Sequence, residues 1–388
     1  MSETVYLLGA GVNRHIDWHG LWPPLVDDFF RMALRSEKFN NEHYFERIAR
    51  VYDYIRDVWK KNRSDLENEP FNLEDCFTMI QLEQAEAERE GDHNEYGRLA
   101  GVEFLLVSFL AEYLSEFEVA AITSDIMREF GTVLYREEPS ILTVNYDCII
   151  ESIIESASGV NSNIPGSFKE GGVADDELPY SHMNWNRPLS YAIKFDQVQL
   201  QRAGLPTYVD GDRFYSHPAN RLYSWKLLKL HGSLNWFRYV PIRKYHSLDA
   251  SELKLPEERL REVLLINGRW WFTEPPDFQG WLLEPMIITP VLYKEHYYQN
   301  MPFPDIWREA REELSRCKRL VIIGYSFAAG DFSIRKLLLD AFREDHLREL
   351  VVVNPDTSVV KKAKELSHFD KPVLVCSSLE EYLKLNTA

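Results

Sequence analysis

The chain has few cysteines, no long apolar run and a shortage of positive charge, and each absence argues against a class of protein. Its four cysteines, among 388 residues, lie far apart and form no Cys-x-x-Cys pair, unlike a disulfide framework or a zinc site. No stretch approaches the roughly 18 consecutive apolar residues of a membrane-spanning helix. The net charge of −17 opposes binding to phosphate backbones, which requires Lys and Arg to displace counterions. We therefore expect reduced, mostly buried thiols, no membrane association and no direct nucleic-acid binding.

Several catalytic and targeting signals are also missing. There is no Gly-x-Ser-x-Gly elbow and no Walker Gly-Lys-Ser/Thr motif, so neither a serine hydrolase nor an ATPase is supported. The histidines show no metal-ligand spacing. The first residues contain no basic region followed by an apolar run, from which we expect a cytoplasmic protein. Any chemistry must therefore come from other motifs.

Short, continuous apolar runs alternate with segments that have a helical period. Such runs predict strands that are buried on both faces, and their alternation with helices predicts a parallel sheet covered on both sides. The hydrophobic content of 45% permits a large core. The fold class predicted is therefore α/β, with a Rossmann-like parallel sheet. The strands are expected at Val5 to Leu8, Ile141 to Val144, Lys226 to Leu230, Leu320 to Ile323, Leu350 to Val353 and Val373 to Cys376.

The segments between these strands predict how one catalytic domain, residues 1–388, is organised. Residues 25–134 have apolar side chains at three- and four-residue spacing, which predicts a helical insertion forming a smaller second lobe. Residues 158–220 and 238–305 are rich in turn formers and aromatics without a clear period, and we expect irregular insertions there. The Rossmann-like core then comprises about 1–24, 135–157, 221–237 and 306–388.

A glycine or a polar residue directly follows each of five predicted strands. These residues are Gly9, Asn145, His231, Gly324 and Asn354. In open parallel sheets, ligands bind beyond the carboxyl ends of the strands. We therefore expect these residues to meet at one edge of the sheet and to form a nucleotide pocket that contains an Asn and a His.

Two of these positions belong to glycine-containing turns. In Gly9-Ala10-Gly11, the absence of side chains would allow the backbone to approach a diphosphate with exposed N–H groups. The alternative is a strand-to-helix turn with no ligand, because the longer dinucleotide fingerprint is incomplete. Gly324-Tyr325-Ser326 resembles a second turn of this kind.

The other positions carry side chains with useful chemistry. The Asn145 amide both donates and accepts, which suits a ribose hydroxyl or a water, while Asp147 is equally a helix cap or a ligand. The His231 imidazole suits proton transfer, with a structural histidine as the alternative. Asn354 suits a ribose hydroxyl or the start of an Asn-Pro turn. Asp331 is expected to cap a helix from Phe332 to Phe342.

In this order, the motifs resemble the sirtuin-like superfamily, most closely the bacterial sirtuin-like proteins of antiphage defence. The resemblance spans nearly the whole chain but departs from the sirtuin deacylases in two ways. Those enzymes generally carry a four-cysteine zinc module that is missing here, and Asn13 stands where the family often has Ser. The residues that carry the resemblance are Gly9-Ala10-Gly11, Asn145-Tyr146-Asp147, Lys229-Leu230-His231-Gly232-Ser233, Gly324-Tyr325-Ser326 and Asn354.

The resemblance implies a role for each matched residue. Asn145 would orient the nicotinamide ribose or the attacking water, with support from Asp147, and His231 would accept a proton from a ribose hydroxyl. A second group would contact the diphosphate and its nearby ribose, or the adenosine half. The residues implied for the diphosphate and its ribose are Gly9, Ala10, Gly11 and Asn13, and those implied for the adenosine half are Gly324, Ser326 and Asn354. Gly232 is also expected to contact the nucleotide.

The activity implied by the resemblance is the cleavage of NAD+ into nicotinamide and ADP-ribose, which depletes NAD+ during infection. NAD+ would be the substrate, without zinc, and the protein would form a homo-oligomer with a HerA-type ATPase as partner. Two alternatives stay open. One is an NAD-dependent deacylase that lacks zinc, and the other is a non-catalytic NAD or ADP-ribose sensor that regulates a partner.

Overall fold

The computed structural model describes residues 3–158, 185–202, 205–218, 220, 222–241, 261–266, 281–291, 301–328 and 330–386. Within these ranges the strands are β1 (Thr4–Leu8), β2 (Ser140–Thr143), β3 (Gln197–Arg202), β4 (Leu205–Asp210), β5 (Leu227–Lys229), β6 (Gly232–Pro241), β7 (Leu264–Leu265), β8 (Trp281–Ile287), β9 (Arg319–Ile323), β10 (Glu349–Val353) and β11 (Leu374–Cys376).

The α-helices in the same ranges alternate with the strands in the second half of the chain and cluster between β1 and β2 in the first. They are α1 (Phe29–Ala33), α2 (Glu42–Arg47), α3 (Ala49–Trp59), α4 (Arg63–Asn68), α5 (Leu73–Glu90), α6 (His93–Thr123), α7 (Asp125–Glu137), α8 (Ile149–Ala157), α9 (Arg187–Ser190), α10 (Gly211–Ser216), α11 (Phe303–Arg316), α12 (Phe332–Ala341), α13 (Ser358–Leu366) and α14 (Leu379–Asn386).

The central sheet has six parallel strands in the order β11-β10-β9-β1-β2-β5. Numbered as they occur along the chain, these strands lie in the order 6-5-4-1-2-3, which is the arrangement of a doubly wound Rossmann sheet. The predicted α/β fold class is thus confirmed. The order reverses between β1 and β9, and this reversal places a crevice at the carboxyl ends of those two strands.

The predicted helical region between β1 and β2 is confirmed as α1 to α7. Its two longest helices, α5 and α6, are separated by a tight break. Gly91 ends α5 in the left-handed region with φ of 73°, and the Asp92 side chain accepts hydrogen bonds from the first turn of α6. Side chains of these helices, such as Phe109, join Tyr6 of β1 in one continuous apolar core. The helical region therefore packs directly onto the sheet that positions the site.

A second sheet was not predicted. It contains five strands in the order β4-β3-β7-β6-β8. The described parts of 158–220 and 238–305 contain strands and helices where irregular structure was expected. One of these strands, β3, does alternate polar and apolar side chains in the sequence, whereas prolines and aromatic residues interrupt the alternation in β4, β6 and β8. Since β6 begins one residue after His231, this sheet anchors the loop that carries the histidine.

The four cysteines are all buried and free of disulfides, as predicted. Burial raises the pKa of the Cys76, Cys148 and Cys317 thiols. None of the helices in the described ranges is long and apolar enough to cross a bilayer.

Candidate functional site

A cavity of about 170 Å³ lies at the carboxyl edge of the parallel sheet. Loops that follow β1, β2, β5 and β9 form one side, and helices α1, α5 and α6 close the other. One part of its wall is apolar and is formed by Pro23, Leu25, Phe29, Leu110, Leu114 and Val144, among others. The polar part is formed by Asn13, Glu74, Asn145, Asp147, His231 and Asp331.

The cavity brings together only some of the residues predicted for the site. Both members of the expected amide–imidazole pair line it, although 86 positions separate them along the chain. The predicted residues that line it are Ala10, Asn13, Asn145, Asp147 and His231. The predicted residues outside its lining are Gly9, Gly11, Gly232, Gly324, Ser326 and Asn354.

The two glycine turns pack tightly against each other. The Gly9 N–H donates to the Ile323 carbonyl at 3.0 Å, and the Gly11 N–H donates to the Gly324 carbonyl at 2.9 Å. A Cβ atom on Gly9 would lie 2.7 Å from the Gly324 oxygen. The expectation of exposed N–H groups is therefore wrong for both residues. The helix after this turn, Ala10–His15, is a short 3-10 helix. Close backbone contact accounts for these glycines without a ligand.

Gly232 also has a structural explanation. Its φ of 81° lies in the left-handed region, and a Cβ atom there would lie 2.0 Å from the Met286 carbonyl oxygen. Gly232 pairs with Ile287 in the second sheet. Glycine is therefore needed at this position for β6 to pair with β8.

Asn354 adopts the turn that was its alternative interpretation. Its side-chain oxygen accepts from the Asp356 N–H at 2.9 Å, and its nitrogen donates to the Tyr325 carbonyl at 3.2 Å. Ser326 is exposed beside this turn. The predicted contact of both residues with an adenosine stays a prediction.

Asn145 is held by the ends of β1 and β2. Its N–H donates to Thr143 Oγ1 at 3.1 Å, and its side-chain nitrogen donates to the Gly9 carbonyl at 3.3 Å. In the described ranges, no residue hydrogen-bonds its side-chain oxygen. Because Asn145 is buried and lines the cavity, this oxygen is a fixed acceptor for a bound molecule.

Asp147 bonds to the start of the following helix, as one of its two interpretations expected, and its role as a ligand stays a prediction. Its Oδ1 accepts from the Ile149 N–H at 3.1 Å, at the start of α8, and its Oδ2 accepts from the Asn13 side chain at 2.9 Å. Burial raises the pKa of Asp147, and the nearby Lys229 opposes this shift. The hydrogen bonds of Asp147 thus support Asn13 rather than Asn145.

Buried charges behind the cavity fix the loops that follow β2 and β5. The Lys229 ammonium donates to the Asp147 carbonyl oxygen and lies 3.1 Å from Glu151 Oε1, which also accepts from the Tyr191 hydroxyl at 2.7 Å. The sequence showed Lys229 within a motif but gave no signal for Glu151, which lies inside α8. Removing either charge would leave the other buried and unpaired.

A second buried ion pair extends this cluster. The Arg187 guanidinium donates two hydrogen bonds to Glu155, at 2.6 and 3.0 Å, and one to Ser152. Nearby, burial raises the pKa of Glu118 to about 7, an effect that Arg187 opposes. The cluster therefore contains more acids than bases, and burial raises the pKa values of Asp147, Glu155 and Glu118.

His231 is buried immediately after β5 and faces a carboxylate that the sequence did not assign to the site. Its Nε2 lies 3.9 Å from Asp331 Oδ1, and the Tyr325 hydroxyl donates to Asp331 Oδ2 at 2.9 Å. Asp331 stands at the predicted N-cap of α12 but makes no capping hydrogen bond. The expectation that it caps this helix is therefore wrong.

Comparison with protein-family models finds no match for the chain, and comparison with curated proteins finds none either. Among the described residues, no group of three or more His, Cys, Asp and Glu side chains is arranged to hold a metal ion. The cavity and the ordered motifs are therefore the features that point to a function.

Proposed function

We propose that the protein hydrolyses NAD+ at the nicotinamide–ribose bond and releases nicotinamide and ADP-ribose. Cleavage of this bond creates an oxocarbenium-like centre and expels a neutral ring. Little acid catalysis is therefore needed, and most of the acceleration comes from positioning and electrostatic stabilisation. A small cavity with fixed polar groups at one wall suits that task.

The charge of the cavity is the observation that carries the proposal. Three carboxylates, Glu74, Asp147 and Asp331, line it, and no Lys or Arg is found among its described lining residues. The nicotinamide ring of NAD+ is cationic and flat, so carboxylates and apolar side chains suit it. The anionic diphosphate is disfavoured at the same place. We infer that the cavity receives the nicotinamide end and that the diphosphate lies outside.

The polar residues of the cavity then have distinct roles. The side-chain oxygen of Asn145 would hold a ribose hydroxyl or the attacking water. The His231 imidazole would accept a proton from a ribose hydroxyl. Asp147 would act through Asn13, whose side chain it holds at 2.9 Å.

The resemblance to sirtuin-like defence proteins extends this proposal to the cell. The enzyme would act in the bacterial cytoplasm as an antiphage effector that depletes NAD+. Its activity would then be restrained by assembly into a homo-oligomer that binds a HerA-type ATPase.

Nicotinamide release by the purified full chain, followed by chromatography with and without the candidate ATPase, tests the activity. Asn145→Ala and His231→Ala should each lower turnover by about a hundredfold or more. The matched controls Asn68→Ala and His43→Ala, at exposed positions, should keep the wild-type rate. The assigned pair is wrong if both cavity variants keep full turnover.

The same assay separates the alternatives. NAD+-dependent removal of acyl groups from peptides would indicate a deacylase. Binding of NAD+ without turnover under every condition would indicate a sensor.

A further inference from the structure

Asp331 occupies a helix N-cap without capping the helix. An Asp at this position normally accepts a hydrogen bond from the second or third amide of the helix. Here the carboxylate turns away from α12, accepts from the Tyr325 hydroxyl at 2.9 Å and places Oδ1 3.9 Å from His231 Nε2. Its carboxylate therefore contacts Tyr325 and the cavity residue His231 and does not bond to the first turn of the helix.

The burial of Asp331 makes this orientation informative. The residue is 5% exposed, and a buried carboxylate is costly unless hydrogen bonds or a cation compensate it. The capping amides would have provided such bonds locally. The Tyr325 hydroxyl provides one bond, and a protonated His231 would provide the cation.

Several other groups surround His231 in the described part of the chain. The Tyr146 ring, after β2, lies 6.4 Å from the imidazole ring, and its hydroxyl donates to the Ile288 carbonyl. Glu74 of α5 and Asp147, before α8, line the same cavity, and Asp147 is already bonded to Asn13. The Asp331 carboxylate lies 3.9 Å from His231 Nε2, beyond hydrogen-bonding distance, so this contact becomes an ion pair when the imidazole is protonated.

We propose that Asp331 is a positioning residue for His231. Its carboxylate orients the imidazole and stabilises the imidazolium that forms when His231 takes a proton from a ribose hydroxyl. In that step the O–H bond breaks, the electron pair stays on the ribose oxygen, and the proton moves to Nδ1, the ring nitrogen that does not face Asp331. This inference rests on the proposed NAD+ hydrolysis for its catalytic part, whereas the Asp331–His231 pairing stands on geometry alone.

NMR titration of the histidine side chains in the full-length protein tests the pairing without any turnover. The His231 signal is assigned by its loss in His231→Gln. In Asp331→Asn, the titration midpoint of this signal should move to lower pH by about one unit, because a carboxylate within 4–6 Å favours the charged imidazole. Asp331→Glu should restore it towards the wild-type position. The control Asp340→Asn, which removes a carboxylate from the same helix, should leave it unchanged.

The pH profile of nicotinamide release tests the catalytic part. A base must be unprotonated to act, so the acid limb of the profile should move to lower pH in Asp331→Asn. The plateau rate of this variant should fall to roughly one tenth of the wild-type rate or below. An unmoved NMR midpoint, or a lower plateau with an unmoved acid limb, would overturn the proposal. A wild-type protein that never releases nicotinamide counts against the proposed function, while the NMR titration still decides the pairing.

Discussion

The carboxyl edge of the parallel sheet carries two kinds of loop. One kind has residues that backbone packing explains, and the other has side chains that face the cavity. After β1 and β9, the glycine turns bond to each other through their own backbones, at 3.0 and 2.9 Å. After β2 and β5, the loops instead direct Asn145 and His231 into an acidic, largely apolar cavity. Buried ion pairs hold these loops from behind.

The difference separates residues that the fold requires from residues that a ligand would require. Any side chain on Gly9 or Gly324 would collide with the neighbouring turn, so stability alone explains these glycines. Burying an amide and an imidazole brings no such benefit, because polar groups lose hydration when they are buried. The second kind of loop is therefore where function should be tested, and the first is where stability should be tested.

The largest effect on stability is expected from Lys229→Met. The change leaves the Glu151 carboxylate buried without its cation and should lower the free energy of unfolding by about 3–5 kcal/mol. Lys226→Met is the matched control, since its partly exposed ammonium pairs with Glu309 and its loss should cost about 1 kcal/mol. Urea unfolding measures the free energy of unfolding of both variants. Equal losses would show that the buried pair does not hold the cavity loops.

A smaller effect is expected from Gly324→Ala. The residue has φ of 62°, and its Cβ atom would lie 2.2 Å from the Val12 nitrogen. Strain and overpacking together should cost about 2–4 kcal/mol. Gly91→Ala, with φ of 73° and open space around the position, should cost only about 1 kcal/mol. If the two variants unfold at the same urea concentration, close packing of the turns does not explain Gly324.

The smallest effect concerns Glu118, whose pKa burial raises from its ordinary 4.5 to about 7. Between these values the folded chain binds more protons than the unfolded chain, so this group lowers stability as pH rises from 4.5 to 7. Glu118→Gln should therefore stabilise the protein at pH ~8, by roughly 1–2 kcal/mol given its partial exposure, and by much less at pH ~5.

Unfolding of wild type, Glu118→Gln and the exposed control Glu90→Gln at both pH values checks this pH dependence. The control should differ little from wild type at either pH. A Glu118→Gln variant that is no more stable at the higher pH would contradict the assigned burial of this carboxyl.

The sequence predicted the sheet well because its strands are buried on both faces and appear as continuous apolar runs. It also placed Asn145 and His231 at the same edge, since the residue after a parallel strand has a predictable position. It did not predict the second sheet, in which β3 alternates polar and apolar side chains but prolines and aromatic residues interrupt the pattern in β4, β6 and β8.

The sequence was less informative about contacts between distant loops. The residues beside Gly9 in the sequence do not show whether this glycine approaches a ligand or, as in the structure, another turn. Asp331 matched a helix cap by position, and only the folded chain shows its carboxylate near His231. Glu151 gave no signal because its partner, Lys229, lies 78 residues away.

The central claim is that the cavity receives the cationic nicotinamide end of NAD+. Calorimetric titration of His231→Ala, which should turn NAD+ over about a hundredfold more slowly than wild type, with NAD+ and with NADH tests it most directly, because the reduced ring is neutral. The carboxylates of the cavity predict that NAD+ binds about tenfold tighter or more, a difference of about 1.4 kcal/mol. Equal affinity for the two nucleotides, or tighter binding of NADH, would contradict the claim.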